Sequence, residues 1–288
     1  MRAIDLHQHL WPEPLLALLR ARREPPRLHG SRLEVPGEAA REIDLEAHRP
    51  EQRVALLDRL GIERAAVSLP PTLGLDELPA GEAAELAAAF EQGAVEVAAA
   101  TGGRLVPLAA GDDPAGFPGA CVSARRLVDL AAAAPLLDAL ARAGGFLLVH
   151  PGPAPAPPGR PSWWTPVVGY TAQLQEAYAA WLAEGAERWP GLRVVFAHLA
   201  GGGPFQLERL LAFGVGSREL ALEHVYLETS SYGRRALELC LATFGVERLV
   251  FGTDVPTLDG ERALHAVRWF GEAVEEALCV ANPRGLLG

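Results

Sequence analysis

The chain of 288 residues is 49% hydrophobic with a formal net charge of -10, a length that suits one α/β barrel or two smaller domains. The acidic balance argues against binding a phosphate backbone and directs attention to small-molecule chemistry. Three scattered cysteines, Cys121, Cys240 and Cys279, offer neither a disulfide framework nor a thiolate zinc site, and without a signal peptide or a membrane-length apolar run the chain is expected to be a cytoplasmic protein.

Eight short apolar runs bounded by Gly, Pro or polar residues predict strands. The first four are Ala3–His7, Ala65–Leu69, Leu105–Ala109 and Gly119–Val122, the last of these the weakest in pattern. Phe146–His150, Val194–His198, Val225–Glu228 and Leu249–Gly252 complete the set. Most are separated by segments with helical spacing: Glu51–Leu60, Gly81–Ala100, Thr171–Trp189, Pro204–Phe213, Arg234–Phe244 and Glu261–Leu278. Runs that are apolar throughout, rather than alternating, suit parallel strands buried on both faces, and right-handed βα crossovers close such strands into a (β/α)₈ TIM barrel. A doubly wound open sheet is the alternative. Two stretches interrupt the repeat: the Pro- and Arg-rich segment Leu10–Pro50, read as an irregular insertion, and Pro151–Pro166, with its prolines and paired tryptophans. Both follow strands that end in histidine, which places them at the C-terminal mouth where barrel sites lie.

His7 and His9 are two apart at a strand end, so both imidazoles fall on one face and can reach one ion. His150 closes FLLVH, His198 closes VVFAH, and Asp254 follows LVFGT. Taken singly, each has a quieter explanation, a hydrogen-bonded core histidine or, for Asp254, the N-cap of the last helix. Together they form a set of buried polar groups whose desolvation a shared cation would offset. Imidazoles with one carboxylate suit Zn²⁺ and related first-row ions such as Mn²⁺. His29, His48, His224 and His265 lack this context and are read as surface or structural. Glu228, Thr229 and Ser230 end the seventh run and could line a pocket.

MRAIDLHQH, LLVHPG, FAHLAGGGP and FGTDVP, in that order, resemble the successive motifs of the amidohydrolase superfamily, in the branch that includes aminocarboxymuconate-semialdehyde decarboxylase. RPEQRVALLDRLGIERAAVSLPP, SWWTPVVGY and ANPRGLLG extend the likeness nearly end to end. The resemblance implies a single barrel domain over residues 1–288, with insertions at 10–50 and 151–166. It implies that His7, His9, His150 and Asp254 hold the metal, with Asp254 also catalytic, and that His198 acts beside the metal-bound water as acid or base. Other branches bridge two metals with a carboxylated lysine. All 26 basic residues here are arginines, so one ion is expected. Arg41, Trp164 and Arg209 are candidate substrate-binding residues by the same likeness, and a homodimer is possible. The function expected first is hydrolysis of a small carboxylate, lactone or amide substrate; nonoxidative decarboxylation of an aromatic or unsaturated acid is the alternative. Arg41 and Arg209 turned away from the metal would favour hydrolysis, since arginine forks suit a substrate carboxylate.

Overall fold

The computed structural model describes residues 2–215 and 223–288. Strand β1 (Ala3–His9) opens the chain; β2 (Arg27–His29), β3 (Arg32–Glu34) and β4 (Arg41–Glu42) follow as a small antiparallel sheet. The main strands then continue as β5 (Ile62–Ser68), β6 (Leu105–Pro107), β7 (Gly119–Ser123), β8 (Phe146–His150), β9 (Arg193–Phe196), β10 (Val225–Glu228) and β11 (Leu249–Val250). They form two parallel arcs, β1-β5-β6 and β11-β10-β9-β8-β7. The arcs meet at both ends. At one seam Leu6 N–H donates to Phe251 O (3.0 Å), Asp254 N–H to His7 O (2.8 Å) and His9 N–H to Val255 O (2.8 Å). At the other, Ala109 N–H donates to Gly119 O (2.9 Å) and Cys121 N–H to Ala109 O (3.0 Å). This is an α/β arrangement of parallel strands typical of a distorted barrel.

Alternation along the strands sorts side chains into two cores. Phe146 and Leu148 join Ile4, Leu6, Ala66, Leu108, Val195 and Val250 in an inner cluster, whereas Leu147 and Val149 pack outward with the helices. His150 continues the inward parity of Phe146 and Leu148, and Glu228 that of Tyr226. In β1 the inward residues are first Ile4 and Leu6, then His7 and His9. A register irregularity between Asp5 and Gln8 makes the change, which is what a bulge does when it re-aims a side chain beside a site. The closing residues Leu286 and Leu287 pack into the inner cluster.

Helices cover the outside, among them Pro50–Leu60, Ala80–Ala100, Leu130–Ala143, Arg234–Phe244 and Gly260–Arg268. The weakest run is a full strand, every residue of Gly119–Ser123 being buried. Two expectations need correction. The segment 10–50 is not irregular: it contains the helix Glu13–Ala21, which buries Leu15, Leu16 and Leu19, as well as the small antiparallel sheet. That helix approaches Ala80–Ala100 closely at Gly93, where a Cβ would lie 2.6 Å from Pro12. The predicted helix Glu261–Leu278 is interrupted at Gly271, whose φ of 89° belongs to the left-handed region and ends a right-handed helix. By contrast, 151–164 carries no strand or helix until residue 164. No helix among the described residues is long and apolar enough to cross a membrane.

Candidate metal centre and active site

The mouth of the fold brings His7, His9, His150 and Asp254 together, with one ligand atom from each lying within 4.8 Å of the others. His9 Nε2 is 3.3 Å from both His7 Nε2 and His150 Nε2, and Asp254 Oδ1 is 3.2 Å from His9 Nε2 and 3.7 Å from His7 Nε2. The opposite ring nitrogens are committed elsewhere. His150 Nδ1–H donates to Pro151 O (2.8 Å), His7 Nδ1–H to Glu228 Oε2 (2.8 Å), and His9 Nδ1 lies 3.2 Å from Ser68 Oγ. Anchoring Nδ1 fixes the tautomer, so the three Nε2 lone pairs point at one another. Converging lone pairs with a buried Asp254 Oδ1 that accepts no hydrogen bond among the described residues form a cradle that fits a divalent cation.

The electrostatics agree. Burial drives His9 and His150 below the ordinary imidazole range, and the neighbouring histidines push His150 further. At His7 burial acts the same way, but Glu228 outweighs it and the ring is pushed up to about 9. The proton this favours on Nε2 occupies the position a cation would take. Burial opposes charge on Asp254, yet the imidazole of His9, 3.2 Å away, and the rings of His7 and His198 hold it well below the usual carboxylate range. Negative charge is concentrated where a cation can meet it.

His198 stands beside this cluster. Its ring centroid is 5.4 Å from that of His7 and 5.6 Å from that of His150, and its Nε2 is 3.9 Å from Asp254 Oδ2. Nδ1 is 3.0 Å from Ser230 Oγ, which donates to Glu228 Oε2 (2.8 Å); the same oxygen accepts His198 N–H (3.2 Å). Glu228 is thus a common anchor for the ring of His7 and for the ring and backbone of His198. Gly252 leaves room for it, because any Cβ there would clash with Glu228 Oε1. The backbone at His198 is unusual. Residues His198, Leu199 and Ala200 have φ of 50°, 51° and 53°, continuing through Gly201 and Gly202. Left-handed geometry costs about 1–2 kcal/mol for each non-glycine residue, strain that folded proteins keep where position matters. Asp254 shares it, with φ of 57°. Asp254 is not a helix N-cap; Asp259 caps the helix Gly260–Arg268.

The three candidate substrate residues lie in different surroundings. Arg41 pairs with Glu38 at 3.2 Å. Trp164 is half-buried, with Arg160 4.3 Å over its ring. Arg209 is exposed, its guanidinium 5.3 Å over Phe213.

Sequence reasoning missed the support beneath the candidate metal ligands. Asp5 Oδ1 accepts the backbone N–H of His7 (2.9 Å) and of Thr253 (3.1 Å), and Oδ2 accepts Gln8 Nε2 (2.7 Å) and Thr253 Oγ1 (2.6 Å). The buried Arg53 donates through Nη2 to Gln8 Oε1 (2.5 Å). The available signal was an aspartate inside the apolar run AIDLH. Likewise Glu228, read only as pocket lining, ends a buried strand as His150 does.

The amidohydrolase family model matches residues 4–288. A curated 2-amino-3-carboxymuconate-6-semialdehyde decarboxylase of Dictyostelium discoideum is 24% identical over 172 residues, 54% of this chain and 48% of that protein. The match thus spans about half the length of that relative. Among solved structures, 5-carboxyvanillate decarboxylase of Sphingomonas paucimobilis superposes with a TM-score of 0.80 at 18% identity, covering 99% of this chain and 98% of the other. A dihydroxybenzoic acid decarboxylase of Polaromonas sp., with bound manganese and 2-nitroresorcinol, superposes with a TM-score of 0.72 at 21% identity, covering 99% and 96%.

Proposed function

The chain belongs to the amidohydrolase family and is a metal-dependent enzyme of it, and from that premise we propose that it removes carbon dioxide, without oxidation, from an aromatic or unsaturated carboxylic acid. The observation that carries the reading is the placement of His198, anchored through Nδ1 and presenting Nε2 beside the cradle. A single oriented imidazole suits delivery of one proton to carbon. The decarboxylase relatives support this chemistry over the hydrolysis expected first. We read the two arcs as one closed (β/α)₈ barrel, which their seam hydrogen bonds support.

His7, His9, His150 and Asp254 would hold one ion; the three nitrogens and one oxygen suit Zn²⁺, and the manganese of the Polaromonas relative supports Mn²⁺. A divalent ion there supplies a Lewis acid that draws electron density from the substrate's oxygens. His198, protonated on Nε2 from solvent, gives its proton to the carbon that bears the carboxylate. The bond from that carbon to the carboxylate then breaks, its electron pair returns to the π system, and carbon dioxide leaves. Asp254 Oδ2 faces the imidazolium while it carries the proton. Burial, which lowers the His198 pKa against the pull of Asp254, makes that proton easy to release.

The test is a panel of aromatic and unsaturated acids, set against lactones and amides, offered to the metal-loaded enzyme while carbon dioxide and acid are followed separately. Carbon dioxide from an acid is the expected result. Acid release from a lactone or amide, with no carbon dioxide from any acid, would restore hydrolysis. His198→Ala should keep its ion and lose roughly 10²–10⁴-fold in turnover.

A further inference from the structure

His150 is the one candidate ligand outside the seam that joins the first and last strands, and its ring is oriented by a contact of a different kind. His7 donates to the carboxylate of Glu228 and His9 lies against the hydroxyl of Ser68, both side chains at the ends of other strands. His150 Nδ1–H is held by Pro151 O (2.8 Å), the first carbonyl of the loop that follows it. The ring aims only as well as that peptide is fixed. Of Pro151, Gly152, Pro153 and Ala154 the prolines carry no N–H, so the main chain of this stretch has two donors. Both go to side chains. Ala154 N–H donates to Glu38 Oε1 (3.0 Å), which also accepts Tyr170 OH (3.2 Å). Gly152 N–H donates to Gln173 Oε1 and Gln173 Nε2 donates to Pro153 O, each at 2.8 Å.

Pro151 O and Gly152 N–H are opposite ends of one planar trans peptide. The oxygen accepts from His150 and the N–H donates to Gln173, so the hold on the second contact sets the direction of the first. Polarisation runs the same way, since hydrogen bonds joined in a chain strengthen one another. Gln173 is 9% exposed and sits on the buried face of the helix Tyr170–Ala180 with Leu174, Ala177 and Tyr178. An amide on such a face is costly unless paired, and both of its ends are committed to this stretch. The approach is close: a Cβ on Gly152 would lie 3.2 Å from Ser123 Cβ and 3.7 Å from Gln173 Oε1. We propose that Gln173 is a positioning residue for the metal centre, acting on His150 through the Pro151–Gly152 peptide so that the Nε2 lone pair meets the ion. The inference rests on the reading of His7, His9, His150 and Asp254 as the seat of one ion and is independent of the reaction carried out there.

The experiment titrates the full-length protein, stripped of metal by chelation, with Mn²⁺ in a calorimeter. Gln173→Met, which keeps the length of the side chain and removes both hydrogen-bonding groups, should weaken Mn²⁺ binding by about 10–100-fold, the usual cost of losing a contact that orients a metal-binding histidine. Should Gln173→Met fail to fold, Gln173→Asn, polar but one methylene too short for the contact, takes its place with the same expectation. Gln173→Glu still offers an acceptor to Gly152 N–H and gives up only the donor to Pro153 O, so it should bind Mn²⁺ much as wild type does. Gln175→Met removes a contact of the same helix with Gly201 O (2.7 Å) and should leave Mn²⁺ affinity unchanged. A merely structural helix would lose affinity equally in Gln173→Met and Gln175→Met. That result, wild-type affinity in the shortened or apolar Gln173 variant, or a loss in Gln173→Glu as large as in Gln173→Met overturns the proposal. Wild type that binds no Mn²⁺ removes the metal reading itself, and this inference with it.

Discussion

The two faces of β1 carry polar groups in opposite conditions. Outward, the carboxylate of Asp5 is saturated, both oxygens accepting two hydrogen bonds apiece, one of them from Gln8, which in turn accepts from Arg53. Inward, His7 and His9 have their Nδ1 atoms engaged and their Nε2 atoms aimed at other acceptors. Buried polar groups ordinarily find partners, so a satisfied carboxylate holds the fold together, whereas lone pairs that converge on one another suit an atom from outside the chain. The difference separates support from function on adjacent residues of a single strand.

Substitutions on the two faces should fail differently. On the inward face, His9→Ala should abolish metal retention, read as ions per chain by elemental analysis, and with it activity by about 10³-fold or more, since one of only four donors is gone. Ser230→Ala should keep the ion but slow turnover roughly 10–100-fold, the usual size for losing a group that orients an active-site histidine. On the outward face, Asp5→Asn should retain the ion and yet lose about 1–3 kcal/mol of stability in urea titrations, because an amide replaces an acceptor that serves four donors. Loss of metal in Asp5→Asn without loss of stability would collapse the distinction.

A last effect, confined to acid pH, concerns His48, buried beside Trp11 with its Nδ1 lacking a partner among the described residues. Burial, helped by Arg53, takes its pKa down to about 3 from 6.5. The folded form stays neutral while the unfolded chain takes up a proton, so this group's contribution is intact above pH 6.5 and is lost as the pH falls toward 3. His48→Phe should flatten that part of the acid limb of the Tm profile; an unaltered limb would mean that His48 titrates normally.

The strands were legible because burial on both faces leaves continuous apolar runs, and the candidate ligands because each ends such a run with a residue costly to bury. The run before His198 ended early, at Phe196, since the left-handed turn that follows leaves no mark in residue type: Leu199 and Ala200 are not the residues that usually adopt it. Segment 10–50 was misread because its helix opens with prolines and its strands are only two or three residues long, below what periodicity can detect. The hydrogen bonds that Glu38 makes were invisible for another reason. Its partners Ala154 and Tyr170 are more than a hundred residues away, and nothing in a linear pattern pairs a loop carboxylate with them.

The seam between β1 and β11 ties Asp254 N–H to His7 O and Val255 O to His9 N–H, main chain to main chain. Three of the four donors thus inherit their spacing from peptide groups, which every amino acid but proline carries in full. Such a frame tolerates drift in nearby side chains and can be reused: new appetites can be grafted onto the rim by rewriting its overhanging segments, with no redrafting of the cation's seat.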